Sequence, residues 1–286
     1  MDEIAQKGRR VGWFRTLWAN RGGYRDRLLN DCRYYRFRQY RLPDFLIIGC
    51  QKGGTTSLFD DLTHHPEVAA AKAKEIHYLD IHYDKGVNWY RSFFPKTRDG
   101  VTGEASPYYL FHPLVPERAK RLLPDGRLIV LLRNPVERAY SHYQMVVRIG
   151  IEPLSFEEAL ACEKERIEAE EEKILHNPFY DSFNYRYYSY AARGLYVVQL
   201  ERWLRFFSKE QVLVMSSEQY FESPQTVYDR LTRFLDISPH RPAGFARINK
   251  GEYGGLKPEI RKRLAAFYRP YNQRLYRLLG EDMGWD

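Results

Sequence analysis

The sequence of 286 residues has few cysteines and no long apolar run. Its three cysteines, Cys32, Cys50 and Cys162, have neither the spacing of a metal site nor an even count, which predicts free thiols in a reducing compartment. No segment approaches the roughly 18 apolar residues that a transmembrane helix needs, and the N-terminus lacks the apolar core of a signal peptide. We therefore expect a soluble, cytoplasmic protein.

Internal repeats, low-complexity tracts and linker-like runs are also missing, although 44% of the residues are hydrophobic and can form a large core. Short apolar strands alternate with amphipathic helices along the chain. This alternation predicts a three-layer α/β fold that is similar to the P-loop fold, with a central, mainly parallel sheet flanked by helices. We assign the domain to residues 44–286 and a basic, aromatic extension to residues 1–43.

The net charge of +8 is concentrated in that extension, which holds eleven Arg and Lys residues and four Asp and Glu residues. The rest of the chain is nearly neutral, so we expect no nucleic-acid partner. In residues 9–21, aromatic side chains at helical spacing lie between arginines. This segment is either a helix that packs on the domain or an amphipathic helix in peripheral contact with an anionic membrane surface.

A glycine-rich loop follows the first apolar strand, residues 45–48, and leads into a predicted helix that begins at Thr55. Backbone N–H groups at such a helix N-terminus form a cradle for an anion. The spacing from Gly49 to Gly54 is that of a nucleotide P-loop, but Thr55 replaces the P-loop lysine. The only lysine within this loop is Lys52. The loop therefore either binds a donor with a different group beyond its first phosphate or is a turn without a ligand.

Residues 74–80 place a carboxylate and an imidazole close together in the sequence. Glu75 and His77 would share a face if the segment is extended. A neighbouring imidazole can hold a carboxylate in position and tune its pKa, which suits a general base. The alternative is a charged turn on the surface.

The second apolar strand, residues 128–132, ends in Arg133, where nucleotide kinases and ATPases tend to carry an acid that holds Mg²⁺. Arginine forms a fork for a phosphate and repels a metal, so we predict a second anion site without a metal, unless Arg133 is an ordinary surface residue. Asn134 suits the N-cap of the next helix, and Glu137 could complete a capping box. That helix also carries Arg138 and Ser141.

The later segments predict helices, one further strand and a glycine-rich loop. A capping box at Ser155 begins a helix to about Leu175, and the nine acids between Glu152 and Glu172 indicate a solvated helix face. The loop at residues 249–255 is either an anion contact or a simple connector. The remaining elements are a helix over residues 195–207, a strand over 212–215, and helices over 224–235 and 258–279.

Taken together, these segments resemble the sulfotransferases that use 3′-phosphoadenosine 5′-phosphosulfate (PAPS). The similarity is greatest to the domains that act on heparan sulfate, the N- and 3-O-sulfating types, and covers residues 45–286. Residues 51–57 match the 5′-phosphosulfate loop of that family, and residues 133–141 match its 3′-phosphate motif. Residues 74–78 lie between the two in the expected order.

The resemblance implies a role for each matched position. Glu75 corresponds to the general base, Lys52 to the cation on the leaving group and His77 to a histidine of the acceptor site. Arg133 and Ser141 would hold the 3′-phosphate. The residues that would contact the 5′ side of PAPS are Gln51, Lys52, Gly53, Gly54, Thr55, Thr56 and Ser57. Lys250 and Gly251 in the late loop would make further contacts with PAPS.

The expected reaction is in-line transfer of a sulfuryl group from PAPS to a hydroxyl or amine, without a metal. Heparan-acting members often carry a lysine at the position of Ala105, and secreted members often carry a late cysteine pair that is missing here. The acceptor is therefore a glycan, a lipid or another small hydroxyl compound. The alternatives are a P-loop kinase and a polyanion- or membrane-binding module that uses residues 1–43.

Overall fold

The computed structural model describes residues 31–97, 99–245, 248 and 254–285. Residues 1–30, which include the aromatic segment 9–21, lie outside this part, so contact of that segment with a membrane stays a prediction. Lys250 and Gly251 also lie outside it. Among the described residues, no helix combines the length and apolar character needed to span a bilayer.

Five parallel strands form one sheet in the order β2-β3-β1-β4-β5. The two long apolar runs that the sequence shows become β1 and β4, which lie side by side near the centre. Parallel order brings the carboxyl ends of all five strands to one edge of the sheet. The strands are β1 (Phe45–Gly49), β2 (Val68–Ala70), β3 (Val101–Ala105), β4 (Arg127–Leu132) and β5 (Val212–Ser216).

Helices cover both faces of this sheet, which confirms the predicted α/β fold. They are α1 (Thr55–Thr63), α2 (Val87–Arg91), α3 (Val115–Leu122), α4 (Pro135–Arg148), α5 (Phe156–Ile167), α6 (Glu170–His176), α7 (Phe183–Tyr187), α8 (Tyr196–Trp203), α9 (Ser217–Glu222), α10 (Pro224–Leu235) and α11 (Pro258–Leu279). Short 3₁₀ turns lie at Tyr35–Phe37, Tyr83–Lys85, Ala192–Gly194 and Lys209–Gln211.

Alternate residues of the central strands enter two separate cores. In β1, Phe45 and Ile47 pack with helices α1 and α10, whereas Leu46 and Ile48 pack with helices α3 and α8. All four side chains are at most 1% exposed. A strand buried on both faces has to be apolar throughout, which is why its sequence shows an unbroken run instead of alternation.

The acidic region after Glu152 differs from the prediction of one solvated helix. The chain forms two helices there, α5 and α6, and Glu152, Glu163 and Glu170 are buried. Glu163 accepts hydrogen bonds from the backbone N–H groups of Ala191 and Ala192, at 2.7 and 2.8 Å. A buried carboxylate needs such partners, and here they fasten the segment that carries α7 and α8 to α5.

The start of α4 confirms one predicted cap and corrects another. The Asn134 side chain accepts hydrogen bonds from the N–H groups of residues 136 and 137. Glu137 does not complete a capping box, because its carboxylate pairs with Arg261 and the N–H of Asn134 instead donates to Glu218 Oε1 at 2.8 Å. The capping box at Ser155, with Glu158, is present.

We predict that adding one methyl group at Gly103, where β3 meets β1, lowers the stability of the fold. A Cβ there would lie 2.4–2.5 Å from the ring of Phe45, its neighbour in register. We expect Gly103→Ala to lower the free energy of unfolding by about 1–3 kcal/mol, measured by urea denaturation. Gly244→Ala is the matched control, because a Cβ there meets nothing within 4 Å. Equal stability of the two variants would contradict this packing.

Candidate active site

Three neighbouring strands, β3, β1 and β4, end at the same edge of the sheet, and each positions one part of the site. The glycine loop follows β1, and Arg133 follows β4. The segment with Glu75 and His77 is attached to the end of β3. The sheet therefore brings together groups that lie up to about 80 residues apart in the sequence.

The glycine loop turns tightly against β4. A Cβ at Gly53 would lie 2.5 Å from the carbonyl oxygen of Leu131, so only glycine fits there. Gly54 has a φ of 94° and begins α1, whose first turn contains no acidic residue. The loop is therefore open to an anion at the positive end of the helix dipole.

The predicted hydroxyl residues of the loop occupy different positions. Thr55 and Ser57 are buried, and Thr56 is partly exposed. Ser57 Oγ accepts a hydrogen bond from the N–H of Ile248 at 3.0 Å. The chain just before Lys250 and Gly251 therefore returns to the glycine loop, although those two residues lie outside the described part.

Arg133 contacts the same loop from the end of β4. Its Nη1 donates to the carbonyl oxygen of Lys52 at 3.2 Å, and its own carbonyl accepts from Tyr196 Oη at 2.7 Å. Ser141 is buried on α4, in one helical row with Arg138 and Arg148. Among the described residues, no group of three His, Cys, Asp or Glu side chains could hold a metal ion.

The charges around Lys52 are predominantly positive. Burial lowers the pKa of Lys52, and the nearby Arg148 and Arg133 lower it further, whereas Glu75 acts in the opposite direction. A cation held among other cations is stabilised when an anion binds between them. Arg148, at the end of α4, therefore belongs to the site, and no local motif in the sequence indicated it.

The segment with Glu75 and His77 is not extended, so the condition under which the two side chains would share a strand face is not met. Their φ angles are 56° and 55°, in the left-handed region. The N–H of Glu75 donates to the Ala105 carbonyl at 3.0 Å, and the N–H of His77 donates to Ser106 Oγ at 3.2 Å. The two side chains nevertheless meet, because His77 Nε2 lies 3.7 Å from Glu75 Oε2.

Left-handed backbone is concentrated at the residues that the sequence singled out. Among the described residues, four that are not glycine have such φ angles: Lys52 at 71°, Glu75, His77 and Asp236. Asp236 ends helix α10, where this conformation is common. Strained residues cluster at functional sites, so the other three mark the glycine loop and the end of β3 as one candidate active site.

Two charged neighbours, Asp80 and Lys74, act on this pair. Burial lowers the pKa of His77. The carboxylates of Asp80 and Glu75 have the opposite and larger effect, and together they raise this pKa to about 10. Asp80 Oδ2 lies 2.8 Å from His77 Nδ1. The ion pair with His77, assisted by Lys74 at 2.5 Å from Oε1, lowers the pKa of Glu75 to about 2. Near neutral pH, Glu75 is a carboxylate and His77 is a cation.

Glu104 supports this arrangement from inside the fold, a role that the sequence did not reveal. Its Oε2 accepts from Ser106 Oγ at 2.7 Å, and the same Oγ receives the N–H of His77. Its Oε1 accepts from the hydroxyls of Tyr90 and Tyr109 at 2.6 and 2.8 Å. Burial raises the pKa of Glu104, and these three donors hold the carboxyl in place.

Arg193 performs a similar role under the glycine loop. Its Nη1 donates to Gln51 Oε1, and its guanidinium lies over the rings of Tyr108 and Phe111, at 4.6 and 5.1 Å. The side chain is buried, and its Nη2 donates to the Arg186 carbonyl at 2.5 Å. Gln51 is therefore held by a residue about 140 positions later in the chain.

A cleft of about 840 Å³ opens beside Glu75 and His77. Gln51 and Arg148 line the same cleft as this pair. The 3₁₀ turn after Ile81 forms one wall, and the region around α7 forms the other. The remaining lining residues are Asp80, Ile81, His82, Tyr83, Asp84, Lys85, Pro107, Tyr108, Met145, Ile149, Pro178, Phe179, Asp181, Phe183, Arg186 and Tyr187.

The geometry predicts an unusual titration for His77. Because the pKa of His77 is about 10, its ring should stay protonated through neutral pH. The charge of His77 therefore contributes fully to the stability of the fold below about pH 6.5, and this contribution is lost as the pH rises through about 10. Asp80→Asn should lower the pKa markedly. Nitrogen-15 NMR of the ring measures both values, with His82, whose pKa burial lowers, as the internal control. A His77 midpoint near 6.5 in the unmodified protein would contradict the pairing.

Comparison with known proteins relates this site to one family. A model of the sulfotransferase domain matches residues 42–249. The chain is 32% identical over 279 residues to heparan sulfate glucosamine 3-O-sulfotransferase 6 of Mus musculus, covering 86% of this chain and 74% of that protein. It is 33% identical over 272 residues to heparan sulfate glucosamine 3-O-sulfotransferase 3B1 of Homo sapiens, covering 86% and 65%.

A solved structure supports the same relation. The crystal structure of a sulfotransferase from Alicyclobacillus acidocaldarius superposes with a TM-score of 0.71 at 31% identity, covering 85% of this chain and 98% of that one. The match decides against a P-loop kinase and against a purely binding function, and it confirms the resemblance that the loop and the Arg133 motif indicated. The chain belongs to the sulfotransferase family and is an enzyme of that family.

Proposed function

We propose that the protein transfers a sulfuryl group from PAPS to a hydroxyl or amine of a glycan, lipid or small-molecule acceptor. The observation that carries this proposal is the convergence of the glycine loop and the Glu75 segment, which follow different strands, at one edge of the sheet: Gln51 of the loop and Glu75 line the same cleft, and Glu75 raises the pKa of Lys52. An anionic donor on the loop and an acceptor in the cleft would then meet between a cation and a carboxylate.

The donor occupies the glycine loop and the end of β4 in this proposal. Its 5′ side lies on residues 51–57, where the helix dipole and the backbone N–H groups favour an anion. Its 3′-phosphate lies at Arg133 and Ser141, with Lys250 and Gly251 as further contacts. The excess of positive charge around Lys52 and membership of the sulfotransferase family support PAPS as this donor.

Glu75 is the proposed general base. With a pKa of about 2 it is fully ionised, so it accepts a hydrogen bond from the acceptor hydroxyl from the outset. Such a weak base takes the proton late, once the new oxygen–sulfur bond has made the hydroxyl acidic. The protonated His77 holds the carboxylate in position and does not itself remove a proton.

Lys52 acts at the other end of the transferred group. As the acceptor oxygen bonds to sulfur, the bond from sulfur to the 5′-phosphate oxygen breaks, and negative charge grows on that oxygen. The ammonium of Lys52 stabilises this charge from within the loop. The sulfuryl group passes directly between the two oxygens, and no covalent enzyme intermediate forms.

The first test of this mechanism is Glu75→Gln. We expect transfer of radiolabelled sulfate to fall about 100-fold or more, because the amide cannot accept the proton. Binding of the product nucleotide 3′-phosphoadenosine 5′-phosphate (PAP), measured by calorimetry, should change little. Glu117→Gln, an exposed acid that pairs with Arg121, is the control. Near-normal turnover of Glu75→Gln would remove Glu75 from the role of base.

The second test separates the two phosphate sites. Arg133→Ala should weaken binding of PAP by about 10- to 100-fold, the equivalent of losing one charged hydrogen bond of about 1.5–3 kcal/mol. Binding of AMP, which lacks the 3′-phosphate, should change much less. Arg121→Ala serves as the control, because that side chain is 70% exposed and distant in the fold. Equal losses for both nucleotides would contradict the assignment of Arg133.

A further inference from the structure

We propose that the acceptor of this sulfotransferase is an uncharged hydroxyl compound with an aromatic or apolar body, and not an acidic polysaccharide. This inference rests on the proposed function, because it takes the cleft beside Glu75 as the acceptor site. It differs from the acceptor that the names of the mammalian relatives state, heparan sulfate, which is a polyanion.

The charges of the cleft balance. Among its described lining residues, four carboxylates face three basic side chains and the protonated His77. Burial lowers the pKa of His82, so this second imidazole is neutral at neutral pH. A groove for a polyanion needs an excess of positive charge along its walls, and this cleft offers none.

The cations on the acceptor walls are also already paired. Arg186 Nη1 lies 2.9 Å from Asp181 Oδ2, and its Nη2 donates to the Tyr187 hydroxyl at 2.9 Å. Lys85 lies 3.9 Å from Asp84 on the opposite wall. An anionic group on the acceptor would have to displace these carboxylates or lie beside them, and both are unfavourable.

One cation of the cleft differs from the others. Arg148 makes no ion pair with any described residue, and it both lines the cleft and lowers the pKa of Lys52. We assign its charge to the sulfuryl group that passes from donor to acceptor, because it acts on the lysine of the glycine loop. Apart from Arg148 and His77, the described cations that line the cleft are paired with aspartates.

Aromatic and apolar side chains form the rest of the acceptor walls. Phe183 and Tyr187 pair with their ring centroids 4.7 Å apart, and Ile149 is 51% exposed at the rim. Ring faces of this kind bind an apolar body or the C–H face of a neutral sugar. Further members of this surface are Ile81, Tyr83, Tyr108, Met145 and Phe179.

Matched acceptors that differ only in charge test this inference. We would compare kcat/KM for 4-methylphenol with that for 4-hydroxybenzoate, and phenyl glucoside with phenyl glucuronide, and include a heparan oligosaccharide. The neutral member of each pair should be preferred by about tenfold or more, the effect expected for one unfavourable charge at close range. Binding of PAP is measured in parallel and reports on the donor site alone.

A variant tests the reason for the preference. Asp181→Asn frees Arg186 and should shift the ratio of neutral to anionic acceptor by about tenfold towards the anion, with binding of PAP unchanged. Glu117→Gln removes the acid of an ion pair outside the cleft and should leave the ratio unchanged. Adding Asp84→Asn to Asp181→Asn frees Lys85 as well and should increase the shift.

The outcomes separate the two proposals. Faster sulfation of the heparan oligosaccharide or of either anionic acceptor would overturn the inference and leave the proposed function standing. An unchanged ratio in Asp181→Asn would overturn it too, and so would binding of PAP without sulfation of either neutral acceptor. Failure to bind PAP at all would overturn the proposed function itself, and the inference with it.

Discussion

Holding Glu75 and His77 in left-handed backbone is the constraint on which the active site depends. Each such residue costs about 1–3 kcal/mol, so the surrounding structure has to offset that cost. The backbone hydrogen bonds to Ala105 and Ser106 do so at the end of β3, and the ion pair between His77 and Asp80 adds to them. The carboxylate of Glu75 is therefore fixed relative to the sheet instead of moving with a surface turn.

The same sheet sets the distance from this carboxylate to the glycine loop. Because β3 and β1 are neighbours in register, the two reactive segments are joined through main-chain hydrogen bonds and not through flexible connections. An enzyme that transfers a group in line needs its base and its leaving-group cation at opposite ends of that group. Under the proposed mechanism, the strand order would supply this arrangement of Glu75 and Lys52 before any substrate binds.

Charge divides the site into two halves. On the proposed donor side, the positive side chains of Arg133, Arg138 and Arg148 act on Lys52, and Glu75 opposes them. On the acceptor side, Asp181 and Asp84 pair with the basic side chains. Under our two proposals, these halves complement a negative donor and an uncharged acceptor.

The sequence predicted the parts of the site that depend on local patterns. An apolar strand followed by glycines, and another followed by Arg133, are contiguous signals, and both strands end at the same edge of the sheet. Residues 74–80 are not extended, because hydrogen bonds to Ala105 and Ser106, about 30 residues away, hold the left-handed turns. No local pattern reports such partners.

The supporting residues escaped prediction for the same reason. Glu104, Arg148 and Arg193 act through contacts that only the folded chain creates. The acidic run after Glu152 was assigned to a solvated face, yet three of its carboxylates are buried, because their hydrogen-bond donors come from residues 166–192. Asp80 could have been found, since its spacing of three from His77 suits a local ion pair.

The most direct measurement of the central claim is a crystal structure of the protein with PAP and an acceptor bound. We predict the 5′-phosphate in the glycine loop, with Lys52 Nζ at about 2.7–3.2 Å from a phosphate oxygen, and the acceptor hydroxyl at hydrogen-bond distance from Glu75. A 5′-phosphate bound away from residues 51–57, or an acceptor hydroxyl out of reach of Glu75, would contradict it.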